Sequence, residues 1–351
     1  MSDKFMIYGA TGYTGKLVAR TAKALGMRPL IAGRNEARLK SVAGQHGLDY
    51  RAFDLSDTAA LNEALSQVDV VLHIAGPFSQ TSKPMLDACI RMRKHYLDIT
   101  GEIDVFEACA ARDAEAKQAG IMVLPGVGFD VVPSDCLAAH MKARMPDATE
   151  ISLAISGLGA MSRGTAKTGV ESIGLGTRVR RGGQIVALKV PPRREFDFGK
   201  GPHPAVALGW GDVSTAFHST GVPDITVYFE ASPQLEQMAA LGGFKRWLAS
   251  RGFMQRRLKR AIDQQPEGPT DAERRAGSGV LIGEAMNANG DRVLTRLRTP
   301  EGYTLTAMTS LEIVRRVLNG EAQPGFQTPS RVFGADFITE FDGCVRQDLN
   351  S

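Results

Sequence analysis

The feature that most constrains this chain is an apolar run that breaks into glycine: Phe5-Met-Ile-Tyr8, then Gly9-Ala-Thr11-Gly12-Tyr13-Thr14-Gly15. Leu17, Val18, Ala22 and Leu25 follow at helical spacing. An extended apolar segment turning sharply into a helix is the opening of a strand–turn–helix unit. The glycines remove the Cβ atoms that would stop the backbone from turning and a ligand from approaching. A helix start aims free N–H groups and the positive end of its dipole at that ligand, which suits a pyrophosphate. The spacing is G-x-x-G-x-x-G rather than the standard G-x-G-x-x-G, and chance triplets are common in a chain with 38 glycines. The placement between a strand and a helix carries the nucleotide reading over a purely structural turn.

Strand and helix signals then alternate. Arg28-Pro-Leu-Ile-Ala-Gly33 is a second strand ending in Gly33-Arg34-Asn35. In an NAD-selective fold an acidic residue near this point grips the ribose 2′-hydroxyl. Here Arg34 stands in its place, with Arg38 one turn on, and a guanidinium fits a 2′-phosphate. The reading is therefore NADP(H), with Arg34 and Asn35 in the cofactor set; the competing reading is a solvated loop arginine beside an Asn35 helix cap. A third strand, Tyr50–Phe53, leads to Asp54, which either reaches the adenine or caps the next helix with Ser56. A fourth, Val70–Ile74, exits through Gly76-Pro77-Phe78 beside the expected nicotinamide, with Phe78 placed to cover the ring. Helix Lys83–Arg93, strand His95–Ile99, the loop Thr100-Gly101-Glu102, helix Ile103–Ala119 and strand Ile121–Leu124 complete the pattern. Strands alternating with helices imply a doubly wound parallel sheet of Rossmann type, an α/β fold. Ligands bind outside the carboxyl ends of such strands.

Together, Gly9-Ala-Thr-Gly12-Tyr-Thr-Gly15, Gly33-Arg34, Gly76-Pro77-Phe78, Tyr96-Leu-Asp98-Ile-Thr-Gly101-Glu102 and Pro125-Gly-Val-Gly128-Phe-Asp130-Val-Val-Pro-Ser134-Asp135 resemble the saccharopine dehydrogenase-like oxidoreductases. The branch they resemble most is the stand-alone bacterial one that includes trans-acting enoyl reductases. The resemblance runs on through Ser162-Arg163-Gly164-Thr165 and Gly302-Tyr-Thr-Leu-Thr-Ala307. It implies a Rossmann domain, a second substrate domain and NADP-dependent redox chemistry. It does not imply saccharopine as substrate.

The second half is strand-rich and α+β in character, with a mixed or antiparallel sheet expected. The expected division is a dinucleotide domain over 1–146, a substrate domain over 147–302 and a return segment over 320–351, with a helix near 303–319 packing back on the first domain. Strand Glu150–Gly157 precedes Ser162, Arg163 and Thr165, which sit at a predicted helix start and read either as a substrate anion site or as a Ser/Thr cap with an exposed arginine. Arg178–Val190 reads as a hairpin about Gly182-Gly183. Residues 191–222 read as irregular, and 263–279 as a flexible connection. Val280–Ala288 and Arg292–Thr299 read as a hairpin about Asn289-Gly290, and Ala335–Thr339 as a strand. Phe244–Ile262 reads as a basic helix with Trp247, Leu248, Phe253, Met254 and Leu258 on one side; packing on its own domain is expected ahead of membrane-surface contact.

The chemistry narrows by exclusion. None of the six tyrosines has Lys four residues on, which disfavours the short-chain dehydrogenase base. No His/Cys cluster has metal-ligand spacing. Cys136 is the one cysteine near a strand exit, so a thiolate semialdehyde or acyl-phosphate reductase depends on it, and a small core residue is the stronger reading. The catalytic candidates are Tyr96, Asp98 and Glu102. Gly101 and Gly128 complete the cofactor set, and Asp130 and Ser134 join Ser162, Arg163 and Thr165 as substrate contacts. The expected function is an NADP(H)-dependent reductase of a carbonyl, imine or activated alkene on a small or carrier-linked substrate. A non-catalytic NADP-binding regulator or assembly partner is the other class. A charge of +4 without a concentrated basic stripe argues against nucleic acid. The spread of cysteines and the absence of a leader pattern point to the cytoplasm; homo-oligomerisation stays open.

Overall fold

A computed structural model describes residues 4–157, 159–239, 249 and 251–349. Its contacts divide the chain into two compact units, Met1–Val132 with Tyr303–Val332 and Pro133–Gly302 with Phe333–Ser351.

In the first unit the alternation seen in the sequence becomes β1 (Phe5–Tyr8), α1 (Tyr13–Ala24), β2 (Leu30–Gly33), α2 (Glu36–His46), β3 (Tyr50–Ala52), α3 (Thr58–Ser66), β4 (Val70–His73), α4 (Phe78–Met92), β5 (His95–Asp98), α5 (Ile103–Ala110), α6 (Asp113–Ala119) and β6 (Met122–Leu124). The first sheet has seven strands among the described residues. Its order is Gly325–Phe326, β6, β5, β4, β1, β2, β3, and every pairing is parallel. Both faces must be covered in such a sheet, which is why β1 and β4 are buried at every position. Met6, Tyr8, Val71, Tyr96 and Val123 line one face with Phe78, Met85 and Val105 packed on them. α4 starts five residues before the expected Lys83 and carries Pro84 inside it. The single helix expected over 103–119 is two, broken near Arg112.

In the second unit α7 (Val132–Arg144) leads to β7 (Glu150–Ser156), α8 (Arg163–Ser172), β8 (Thr177–Arg181), β9 (Gln184–Leu188), β10 (Arg193–Asp197), β11 (Pro202–Ala207), α9 (Asp212–Thr220), β12 (Asp224–Glu230), β13 (Ser278–Met286) and β14 (Arg292–Pro300). The main path of its sheet is β10, β11, β12, β7, β13, β14 and Val345–Leu349, with β8 and β9 beside it. β7 and β12 pair in parallel and the remaining strands antiparallel, so the sheet is mixed. α7 lies close on β13 because residue 283 is glycine: a Cβ there would meet Leu137 at 2.9 Å and Met141 at 3.0 Å. This packing ties α7 to the second sheet, and the boundary falls at Val132 rather than at 146.

Three stretches depart from expectation. Residues 191–222 form the β10–β11 hairpin and α9; Pro191, Pro192, Pro202, Pro204 and several glycines hide a strand pattern from a propensity reading. Residues 263–279 contain the short helix Asp271–Ala276, started by a reciprocal Thr270–Glu273 capping box. The final strand is Val345–Leu349, while Phe337–Glu340 is a 3-10 turn. Much of the basic helix expected from Phe244, including Trp247 and Leu248, lies outside the described residues; the described helix spans Gly252–Asp263.

Candidate active site

The three glycines of the opening turn do different things. Gly9 has φ +97°, and a Cβ on it would lie 2.7 Å from the Ala75 amide nitrogen. A Cβ on Gly15 would lie 2.2 Å from the Gly9 carbonyl oxygen. Both are glycine because the protein's own backbone leaves no room. Gly12 differs. Its φ of −77° and ψ of 170° suit any residue, and a Cβ would meet only the Gly9 oxygen, at an ordinary 3.6 Å. Nothing in the protein demands glycine at this helix cap, where α1 begins without a side-chain hydrogen bond or an acidic residue in its first turn. A closely approaching anion explains both facts. Thr11, Tyr13 and Thr14 are partly exposed around this turn, and Tyr13 meets Tyr303 edge to face at 5.0 Å.

At the next strand end Arg34 is exposed. Asn35 caps α2, its side-chain oxygen accepting from the Arg38 amide at 3.0 Å, so its side chain is committed to the helix. Asp54 accepts from the Ser56 amide at 3.0 Å and hydroxyl at 2.7 Å, which holds its carboxyl below the ordinary range, with Arg34 adding to the effect. The cap of α3 is Asp57 instead, through the Ala60 amide at 3.0 Å. Tyr8, whose hydroxyl donates to the Phe53 carbonyl, is pushed up to about 12 by burial and then by Asp54, against Arg34. Arg34 and Asp54 thus share one electrostatic neighbourhood at the ends of β2 and β3.

The three catalytic candidates are all engaged in hydrogen bonds at the strand exits. Tyr96 is fully buried and its hydroxyl donates to Asp98 Oδ2 at 2.6 Å. Asp98 Oδ1 accepts from the Thr100 and Gly126 amides at 2.9 and 3.0 Å. Burial still outweighs those bonds and pushes Asp98 up to about 6. This pair clamps the exits of β5 and β6 together. Glu102 accepts from the Phe78 amide at 2.8 Å and the Ser79 amide at 2.9 Å, supplying from another loop the cap that α4 lacks. Each of the three ties loops together at the strand exits. Phe78 is corrected: it is buried, edge-on to His73 at 5.4 Å, and packs in the core instead of covering a ligand. Gly76 is exposed and Pro77 partly so.

The loop after β6 is fixed at several points. Val127 donates to the Asp98 carbonyl at 2.7 Å. Thr309 donates to the Val127 carbonyl at 2.8 Å, and Phe129 donates to Thr306 Oγ1 at 3.0 Å. Gly128 is glycine because a Cβ would press on Thr306 at 2.9 Å, so helix packing accounts for it without a cofactor. Asp130 ends this loop. Its Oδ2 lies 3.0 Å from where a Gly101 Cβ would be, and desolvation pushes its carboxyl up to about 7. Tyr303, Thr306 and Thr309, on helix Gly302–Arg316, were assigned no role from sequence. The sequence reading expected a helix near 303–319 packing back on the first domain, but did not show that Thr306 and Thr309 would meet the loop after β6.

The remaining candidates lie in the second unit. Ser134 is fully buried. Ser162 caps α8 through the Thr165 amide at 3.3 Å, and Arg163 donates from Nε to the Gln265 carbonyl at 2.6 Å and from its amide to the Glu267 carbonyl. The Ser162 cap of the second reading is present, and Arg163 is engaged by the 265–267 backbone. Cys136 is buried, and burial raises its thiol far above the ordinary value; a thiolate mechanism has no support here. Among the described residues there is no cluster of His, Cys, Asp or Glu able to hold a metal.

Residues 5–124 match the family model described as the saccharopine dehydrogenase NADP binding domain. That stretch of the first unit is thus similar to an NADP-binding domain. The cofactor is NADP(H), and the bare glycine cradle at α1 fits that group. A trans-acting enoyl reductase of Mycobacterium ulcerans (strain Agy99) is 29% identical over 155 residues, 40% of this chain and 36% of that protein. One of Mycobacterium leprae (strain TN) is 33% identical over 141 residues, 37% of this chain and 33% of that protein. The chain thus spans about a third of the length of these curated relatives. Apo saccharopine dehydrogenase (L-Glu forming) from Saccharomyces cerevisiae superposes with a TM-score of 0.66 at 11% identity, covering 99% of each chain, a likeness of fold. Among the described residues no helix is long and apolar enough to cross a membrane.

Proposed function

We propose that this protein is an NADP(H)-dependent oxidoreductase that reduces a carbonyl, imine or activated alkene on a small or carrier-linked substrate. The observation that carries the reading is the open Gly12 side of an uncapped helix start, inside a NADP-binding domain. The α1 amides bind the pyrophosphate, and Arg34 pairs with the 2′-phosphate. When bound, the nicotinamide supplies hydride. Asp98 and Glu102 keep the exits of β4, β5 and β6 in fixed relation, so the polar groups at that edge hold their positions without reorganising. The narrower reading, an enoyl reductase acting on a carrier-linked chain, draws its support from the names of the mycobacterial relatives.

The test is NADPH oxidation against a panel of enoyl thioesters, aldehydes, ketones and cyclic imines. Turnover of one class supports the reading and names the substrate. Tight NADPH binding without turnover, together with a stable protein partner, would replace it with a regulatory role.

A further inference from the structure

Three contacts fix where the helix Gly302–Arg316 lies on the first unit. Thr309 Oγ1 donates to the Val127 carbonyl at 2.8 Å, and Thr306 Oγ1 accepts from the Phe129 amide at 3.0 Å. Val127 and Phe129 both belong to the loop after β6. Tyr303, in the first turn of the helix, meets Tyr13 edge to face, with ring centroids 5.0 Å apart and planes at 83°. Tyr13 is the first residue of α1 and follows directly on the open side of Gly12. Between these anchors the sheet runs β6, β5, β4, β1, a span of about 14 Å at the usual strand spacing. The first two turns of the helix therefore reach along the carboxyl edge of the sheet, from the β6 exit back to the glycine turn. A sheet of this kind binds its ligand at that edge.

The dinucleotide has two halves. Arg34 and Asp54 stand at the ends of β2 and β3, on the adenosine side of α1. Tyr303 stands on the opposite side, toward β4, β5 and β6, where the nicotinamide half must run. Tyr13 and Tyr303 are both partly exposed, so each ring keeps an open surface beside the cradle.

We propose that Tyr303 is a cofactor-binding residue, which with Tyr13 forms an aromatic wall on the nicotinamide side of the pyrophosphate cradle. This rests on the NADP(H) assignment and not on any choice of substrate. The wall shields the diphosphate from water, and hydrogen bonds from the α1 amides strengthen in the lower dielectric. The two rings act as a unit, since the edge of one is held against the face of the other. The returning helix thereby takes part in cofactor recognition, although it lies far from the glycine turn in the chain.

The test titrates the full chain with NADPH, NADH and adenosine 2′,5′-bisphosphate, which lacks the nicotinamide half. In Tyr303→Ala, NADPH and NADH should weaken by the same factor, about five- to tenfold, because the ring stands away from the 2′-phosphate. Adenosine 2′,5′-bisphosphate should bind within about twofold of its wild-type affinity. Tyr303→Phe keeps the ring and should bind NADPH within about twofold of wild type. Should Tyr303→Ala fail to fold, Tyr303→Leu, which keeps bulk without the ring, carries the same expectation. The double variant Tyr13→Ala/Tyr303→Ala should lose less NADPH affinity than the product of the two single losses; a full product overturns the shared wall. Equal weakening of NADPH and the bisphosphate would show that the ring supports the fold alone, and overturns the proposal. NADPH affinity of Tyr303→Ala equal to that of wild type overturns it as well. A wild-type protein that binds no dinucleotide removes the cofactor assignment instead, a result distinct from all of these.

Discussion

Gly12→Ala and Gly15→Ala form a pair whose contrast separates ligand space from packing space. At Gly15 the new methyl would sit 2.2 Å from the Gly9 oxygen and 2.7 Å from the Ala10 Cα. Both are backbone atoms and cannot swing aside. Alanine inside a helix gains up to about 1 kcal/mol over glycine, but overpacking of this kind costs about 1–3 kcal/mol or more. A net loss of about 2 kcal/mol follows, a fall of roughly 4–8 °C at the rate of about 2–4 °C per kcal/mol for a protein of this size. At Gly12 the nearest atom is 3.6 Å away and the backbone is extended. Alanine is a poorer helix cap than glycine, and the gain of about 0.4–1 kcal/mol from a stiffer unfolded chain offsets this. The apo protein should therefore melt within a degree or two of wild type. NADPH affinity should nonetheless fall at least about tenfold, equivalent to about 1.4 kcal/mol, because the methyl occupies the phosphate's approach. Melting curves of the apo protein and fluorescence titration with NADPH read the two effects separately. Wild-type NADPH affinity in Gly12→Ala would refute the cradle argument.

Two further outcomes follow from the same frame. Removing the α4 cap by Glu102→Ala should cost about 1–2 kcal/mol and lower the melting temperature by several degrees. With a turned-over substrate it should leave a kcat pH profile of unchanged shape; loss of the acid limb would return Glu102 to the chemistry. His73 is fully buried, with Nε2 3.0 Å from Thr81 Oγ1, and burial pushes it down to about 3. The unfolded chain binds a proton near pH 6.5 that the native state refuses, so the stability this confers is present above about 6.5 and is lost as pH falls toward 3. Melting temperature against pH should be flatter over that window in His73→Gln than in wild type, and parallel curves would contradict the assignment.

The first unit was legible because β1, β2, β4 and β6 are buried at every position and read as apolar runs, and because Gly9 and Gly15 mark close backbone approaches. Arg34 stands exposed at the end of β2, the position from which the sequence reading assigned it to the 2′-phosphate. The catalytic trio was not. A strand-end aspartate that clamps two loops and one that carries a proton look alike until hydrogen-bond partners are known. Only the Thr100 and Gly126 amides reveal Asp98 as a clamp, and only the Phe78 and Ser79 amides reveal Glu102 as a cap. The loop after β6 is held by Thr306 through the Phe129 amide, a contact between distant parts of the chain that no local pattern announces. In the second unit the β10–β11 hairpin was obscured by Pro202 and Pro204 at the start of β11, and of the two readings of the α8 start the structure displays the Ser162 cap.

Isothermal titration of wild type and Arg34→Asp with NADPH and NADH tests the cofactor assignment most directly. Wild type should bind NADPH at least about tenfold more tightly than NADH. In Arg34→Asp the preference should reverse, because a carboxylate repels the 2′-phosphate and accepts from a free 2′-hydroxyl. An NADPH affinity unchanged by Arg34→Asp would contradict the phosphate assignment on which the NADP reading of this site depends.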